Sequence, residues 1–369
     1  LIDLSNPDCR PTVFAMSVEP PPAARLWRTA LVMIVRNGGA DLSRALASLA
    51  PWVDEMVVLD TGSSDDSVAR ARAAGARVGP FTWVDDFGAA RNAALALADA
   101  DWHIVLDADE WLLEGGPALA ALRHQTPNFV GSVEVDSAQG DGQDSAPSRL
   151  SRVLPGPVRY QGRVHEQAVH TLPVQALAVR FGHEGYRPAA LAAKAGRNAA
   201  LLQAALREHP ADAYLWYQLG KDHDVYERWA EAVAAFDRAE QLLDTRSPGW
   251  LHDLTVRRLH ALKRCGRHED AFERARAGLA LWQGSPDFFF ALGDLLLDWA
   301  AEQPGLAPEL VPMIEEAWQR CLALGEHPEH EGAVRGRGSH LAAGNLALLY
   351  DLVGRPDDAA HCRRLAAQR

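Results

Sequence analysis

The sequence predicts two successive domains of different class, an α/β domain with a largely parallel sheet and then an all-α domain of helical repeats. Between Thr29 and Gly185 short apolar runs alternate with helical stretches, the order that builds a parallel sheet with covering helices. After Gly185 strand-like runs stop, and Ala-, Leu- and Arg-rich stretches at helical spacing continue to the end. A pattern of roughly 34 residues recurring in that second half marks its helices as stacked hairpins.

Bulk properties set the outer limits. The 369 residues exceed one compact domain, and 48% hydrophobic with 23% charged is the mixture of a chain that buries a core. Lys plus Arg number 37 against 49 for Asp plus Glu, so the net charge is 37 − 49 = −12. That balance argues against a nucleic-acid partner. No apolar run approaches the roughly 18 residues of a membrane span. Cys9, Cys265, Cys321 and Cys362 are far apart with no C-x-x-C, which suits a reducing, cytoplasmic setting better than a zinc site or disulfide frame. Residues 1–28 read as a tail without signal-peptide character, and Met16 is a candidate start.

Residues 29–187 form the α/β domain. Leu31–Val35, Met56–Asp60 and Ile104–Asp107 are its clearest strands, and Leu42–Leu49, Asp65–Ala74 closed by Gly75, and Phe87–Ala98 are its helices. Asp65 is placed to cap the second helix. The Gly-, Asp- and Ser-rich stretch 138–148 reads as a mobile loop beside the site. A boundary at Pro188 and a linker helix over 188–212 lead to repeats over 213–369. Trp216, Leu219, Gly220, Ala232, Phe236 and Ala239 fit the tetratricopeptide pattern, with Trp216 in the hairpin core. Gly266 with Ala271, and Leu292 with Gly293, repeat parts of it. The third unit is stretched by Pro304–Pro312, and Gly354 with Ala359 starts a fourth. An ordinary helical bundle is the alternative.

In an open α/β sheet ligands bind at the carboxyl ends of strands. Two apolar runs end there in acids, Val57-Val58-Leu59 at Asp60 and Ile104-Val105-Leu106 at Asp107, with Asp109 two residues on. Hard divalent cations prefer oxygen ligands and keep positions for phosphates, so Asp107 and Asp109 suit Mn²⁺ or Mg²⁺ on a diphosphate. A solvated turn is the plainer alternative for such a pair. Arg36-Asn37-Gly38-Gly39 is a turn and not the G-x-G-x-x-G fingerprint, which argues against a nicotinamide enzyme.

The ordered series Asp54 to Ser67, Trp83 to Phe87, Ala90-Arg91-Asn92 and Asp101-Trp102 leading to Leu106-Asp107-Ala108-Asp109-Glu110 resembles family 2 glycosyltransferases of the GT-A fold. Arg149-Leu150, Gly162-Arg163-Val164-His165-Glu166 and Gly182-His183-Glu184-Gly185-Tyr186, with Lys194, Arg197 and Asn198, resemble its subgroup in which tetratricopeptide repeats follow the catalytic domain. The resemblance implies a Rossmann-like nucleotide-sugar-binding GT-A domain, with a UDP-sugar favoured as donor. It implies that Asp60 contacts the base or ribose and that Asn37 lies on the nucleotide-sugar side. Asp107 and Asp109 become the family's D-x-D, Asp109 binding the metal directly and His183 completing the metal site. Glu166 becomes the general base for the acceptor hydroxyl, with His165 the runner-up. Arg91 lies near the diphosphate or holds the Asp-x-Asp strand. Lys194 and Arg197 close over phosphate or form the polar face of the linker helix.

Gly38 after Asn37 and Ser151 in place of an aromatic residue depart from the family. The Q-x-x-R-W element of processive synthases is absent, so the resemblance implies inverting transfer of a single sugar. A nucleotidyltransferase would need a Gly-rich basic loop near its first strand, which is not here. A non-enzymatic repeat scaffold is the other rival. The expected acceptor is a peptide, protein or glycan held partly by the repeats, whose alternative role is packing between copies. Because the donor-side residues all precede Asn198, a cut near His209 is expected to spare donor chemistry.

Overall fold

The computed structural model describes residues 26–139, 144–183, 196–244 and 247–367. Met16, the boundary at Pro188, Lys194 and the Glu184 to Tyr186 part of the expected motif lie outside the described residues.

Strands β1 (Thr29–Val35), β2 (Glu55–Asp60), β3 (Arg77–Pro80) and β4 (Trp102–Val105) run parallel in the spatial order β3-β2-β1-β4. Four longer or later strands continue the same eight-stranded sheet in the order β7-β6-β10-β5, so its second half is mixed rather than parallel. These are β5 (Glu110–Glu114), β6 (Val130–Gln139), β7 (Asp144–Pro155) and β10 (Val174–His183). β7 is antiparallel to β4 and β6, β10 is parallel to β6, and β5 is antiparallel to β10. Two short strands, β8 (Arg159–Gln161) and β9 (Gln167–Val169), form a separate hairpin.

Parallel strands covered on both faces need apolar side chains along their length, and β1 has them from Ala30 to Val35. Leu31, Met33 and Val35 pack with Leu42, Leu46 and Leu49 of α1 (Gly39–Leu49), whereas Ala30 and Val32 pack with Ala94, Leu95 and Ala98 of α3 (Phe87–Ala98). Asp86 caps α3, its carboxylate accepting from the Ala89 amide at 2.8 Å. For α2 (Ser67–Ala73) the cap position is Asp66, not the expected Asp65, which instead accepts from the Ser67 amide at 3.0 Å. α4 (Gly116–Ala121) follows β5. The stretch expected as a mobile loop is mostly hairpin, since β6 and β7 stay paired out to Gln139 and Asp144. Small and polar residues read as loop there, but cross-strand pairing overrides local composition.

After Gly196 every regular element among the described residues is helical. α5 (Arg197–Glu208) precedes four hairpins: α6 (Ala213–Val225) with α7 (Trp229–Gln241), α8 (Leu251–Arg264) with α9 (His268–Trp282), α10 (Pro286–Glu302) with α11 (Ala307–Leu324), and α12 (His340–Leu352) with α13 (Pro356–Ala366). Gly220 allows the tight approach of the first hairpin, because a Cβ there would stand 2.4 Å from the Phe236 ring. Two expectations shift. Tyr217, fully buried, fills the hairpin core, while Trp216 is half-buried and donates to the Pro210 carbonyl at 3.0 Å. Gly354 turns the fourth hairpin, as Gly266 turns the second, so that unit begins at His340. Among the described residues no helix is long and apolar enough to cross a membrane.

Candidate active site

The ends of three adjacent parallel strands carry the first group of residues. Val35 pairs with Asp60 and Val32 with Val105, which sets the turns after β1, β2 and β4 side by side. Asn37, in left-handed backbone, accepts the Ser64 amide on its Oδ1 at 2.8 Å and so ties the first two turns together. Asp60 accepts from the Gly62 and Ser63 amides at 3.3 and 3.2 Å and shapes its own turn.

Asp107 is gripped from both sides. Its Oδ1 accepts from Arg91 Nη2 at 2.8 Å and its Oδ2 from Arg152 Nη2 at 2.9 Å. Arg91 also donates through Nε to Glu166, and Arg152 donates to Glu110 at 2.5 Å. The outcome is a chain of alternating charge, Glu166, Arg91, Asp107, Arg152, Glu110, in which Arg91, Arg152 and Glu110 are buried. Burial works against ionised Asp107, but the two guanidiniums outweigh it and hold its carboxyl well below the usual carboxylate range. Burial dominates at Glu110, whose pKa is raised despite Arg152. Of the two roles expected for Arg91, this geometry is that of a residue holding the Asp-x-Asp turn.

The register of β5 and β10 brings in the next pair. His183 stands opposite Glu110 across the antiparallel ladder, and its Nε2 lies 3.6 Å from Asp109 Oδ2. Burial lowers the His183 pKa, but the hydrogen bond and charge of Asp109 raise it further, for a net upward shift. Among the described residues no group of three or more His, Cys, Asp or Glu is placed to hold a metal. The expected set of Asp107, Asp109 and His183 is therefore not assembled as three ligands: the two oxygens of Asp107 face arginines.

His165 and Glu166 sit in the turn of the β8–β9 hairpin, which Asn92 fastens to α3 by a reciprocal pair of 2.8 Å bonds with the Tyr160 backbone. Glu166 Oε1 is taken by Arg91. His165 lies in left-handed backbone at φ 51°, and burial, aided by the charge of Lys221, pushes its pKa down to about 4. Arg197 stands beside the start of α3, its guanidinium 5.3 Å from the Phe87 ring.

Residues 30–165 match the family model for glycosyl transferase family 2. This stretch is a glycosyl transferase family 2 domain. Similar proteins include a TPR repeat-containing protein from Synechococcus elongatus, 38% identical over 216 residues, 53% of this chain and 52% of that one. The SPbeta prophage-derived glycosyltransferase SunS of Bacillus subtilis is 26% identical over 212 residues, 54% of this chain and 50% of the other. The chain thus spans about half the length of these curated relatives. Among solved structures, glucosyl-3-phosphoglycerate synthase from Mycobacterium tuberculosis with Mn²⁺, UDP and glucosyl-3-phosphoglycerate is 26% identical, covering 32% of this chain and 46% of that chain at a TM-score of 0.25.

Two residues of the glycosyltransferase domain escaped sequence reasoning. Arg152 is 8% exposed and Glu110 is 3% exposed, yet both are central to the charge chain. A signal existed for Arg152, a cation that runs directly into the apolar Val153-Leu154. Glu110, next to the Asp-x-Asp, carried none.

Proposed function

We propose that the chain is a metal-dependent, inverting glycosyltransferase that moves a single hexose from a UDP-sugar to a peptide, protein or glycan acceptor. The observation that carries this reading is the meeting of Asp109 and His183, 3.6 Å apart, beside the strand-end turns of a family 2 domain. Asp109 and His183 would hold a divalent ion, one carboxylate and one imidazole leaving room for a diphosphate, and the nitrogen donor would favour Mn²⁺ over Mg²⁺. When bound, that ion supplies positive charge for the leaving nucleotide.

The chain's own groups do the rest. Asp107, fixed by Arg91 and Arg152, sets the turn that aims Asp109. Asn37 and Asp60 shape the pocket floor for the nucleotide, and Arg197 and Lys194 are the cations assigned to the phosphates. Glu166 takes the acceptor proton: Arg91 engages its Oε1, leaving Oε2 for the hydroxyl. His165, neutral near pH 7 because its pKa is about 4, is the second candidate base. Attack from the face opposite the nucleotide inverts the anomeric carbon.

Calorimetry of UDP with the full chain, with Mn²⁺ and then with chelator, tests the reading. Binding is expected only with the metal and lost in Asp109→Asn. Equal binding in chelator, or undiminished binding in the variant, overturns it.

A further inference from the structure

The turn that carries Glu166 is held from two sides. From the sheet side, the Phe87 amide donates to the Arg163 carbonyl at 2.7 Å, and Arg91 holds Glu166 itself. From the helical side three contacts converge. Arg163 pairs with Glu208 of α5 at 2.7 Å. Val164, 4% exposed, is buried in one apolar cluster with Leu202, Leu215, Leu219 and Ala235, against which Trp83 and Phe87 also pack. Gln167 donates through Nε2 to the Tyr214 hydroxyl of α6 at 2.8 Å and to the His165 carbonyl at 3.2 Å. His165 is the residue in left-handed backbone, a conformation that costs a non-glycine residue on the order of 1 kcal/mol and persists only where neighbours enforce it.

We infer that the first helical hairpin is a working part of the transfer site: Tyr214 is a positioning residue that holds Gln167, whose amide fixes the His165 carbonyl and with it the direction of Glu166. The inference rests on the reading of Glu166 given above and extends it to a residue beyond the family domain. It also reverses an expectation from sequence alone. A cut near His209 would strip Tyr214, Leu215, Leu219 and Ala235 from around the turn, so donor chemistry would not survive it unchanged.

The test uses the full chain and the variants Tyr214→Phe, Gln167→Ala and their combination. Tyr214→Phe keeps the ring that lies 6.0 Å from Tyr217 and 6.2 Å from Trp250, so the packing stays while the hydroxyl goes. Two readouts are taken: amide hydrogen exchange over residues 162–167, and hydrolysis of UDP-glucose, UDP-galactose and UDP-N-acetylglucosamine with Mn²⁺. Tyr214→Phe is expected to speed exchange in the turn severalfold and to lower kcat by about tenfold, with donor KM within about twofold, since a small misplacement of a reacting group is costly. The double variant should be no worse than Gln167→Ala. Unchanged exchange in Tyr214→Phe, or a full additional loss in the double variant, overturns the inference. If the unaltered chain hydrolyses none of the three sugars, the transferase reading fails, while the exchange result still decides whether Tyr214 holds the turn.

Discussion

Both halves of the molecule bury charged side chains, but they use them differently. In the sheet domain Glu166, Arg91, Asp107, Arg152 and Glu110 come from a turn, a helix, a strand end, a second strand and a third strand's first residue. In the helical domain the Tyr217 hydroxyl donates to Asp253, and Arg257 joins Asp253 to Asp224, linking α6 to α8. Lys263 likewise joins α8 to Asp294 and Asp298 of α10. That second network borders a cavity of about 260 Å³ lined by Asp224, Asp253, Arg257, His260, Lys263 and Arg337 among others. In the helices the pairs fix the register of neighbouring hairpins. In the sheet they fix the positions of groups that chemistry needs, because no single element could place all five. A buried ion pair is weak evidence of net stability, so the value of the sheet network lies in placement.

That contrast can be broken at several points, beginning with the largest effects. Arg152→Met leaves buried Glu110 and one oxygen of Asp107 without their cation. We expect a loss of about 3–5 kcal/mol in urea unfolding, the usual result of breaking a buried pair, together with weaker Mn²⁺-dependent UDP binding by calorimetry. Stability loss with unchanged UDP binding would mean that the network is structural only. In the helical half, Phe236→Ala removes the ring packed on Gly220 and should cost about 3–5 kcal/mol. Below its unfolding transition UDP affinity should stay within about twofold; a larger change would erase the proposed division of labour.

The next effect concerns pH. His103 of β4 is 1% exposed and accepts the Ala100 amide on Nε2 at 3.3 Å, and burial, with Arg159 adding to it, pushes its pKa down to about 4. The unfolded chain takes up a proton near pH 6.5 that the folded chain refuses until about pH 4. Stability is therefore full above pH 6.5 and falls through that window, by about 3 kcal/mol at its foot. Urea unfolding followed at pH 7, 6, 5 and 4 should show this slope, to which His165 adds because its pKa is also pushed down to about 4, and His103→Gln should make it shallower by the His103 share. An identical slope in the variant assigns the acid sensitivity elsewhere. Last, Glu166→Gln should keep UDP binding within about threefold while lowering transfer by about a hundredfold, the contribution of a general base. Normal turnover would move the role to His165.

How far the sequence alone reaches differs from element to element. Phe87–Ala98 is a helix with the expected bounds, because Asp86 gives a cap and the apolar period is clean. The Gly220 and Phe236 positions were readable as a repeat because a small residue must face a large one where two helices touch. The paired strands at Ala138 and Ser145 read as loop from their small and polar composition, because ladder pairing is a backbone property that composition does not carry. Arg152 passed unnoticed because its partners are 42 and 45 residues away in the chain.

The strand-end acids Asp60, Asp107 and Asp109 were visible from the order of residues, since an apolar run that stops at a carboxylate is a local pattern with a local cause. Which of them meets a partner was decided in three dimensions. Asp109 faces His183 because β5 crosses to the far edge of the sheet and pairs with β10 in a register that aligns Glu110 with His183. Asp107 faces arginines because α3 and β7 flank β4. Glu166 faces the site because its turn is wedged between α3 and the first helical hairpin. Register and wedging are sums of many distant contacts, each worth little alone, and no short stretch of sequence carries them.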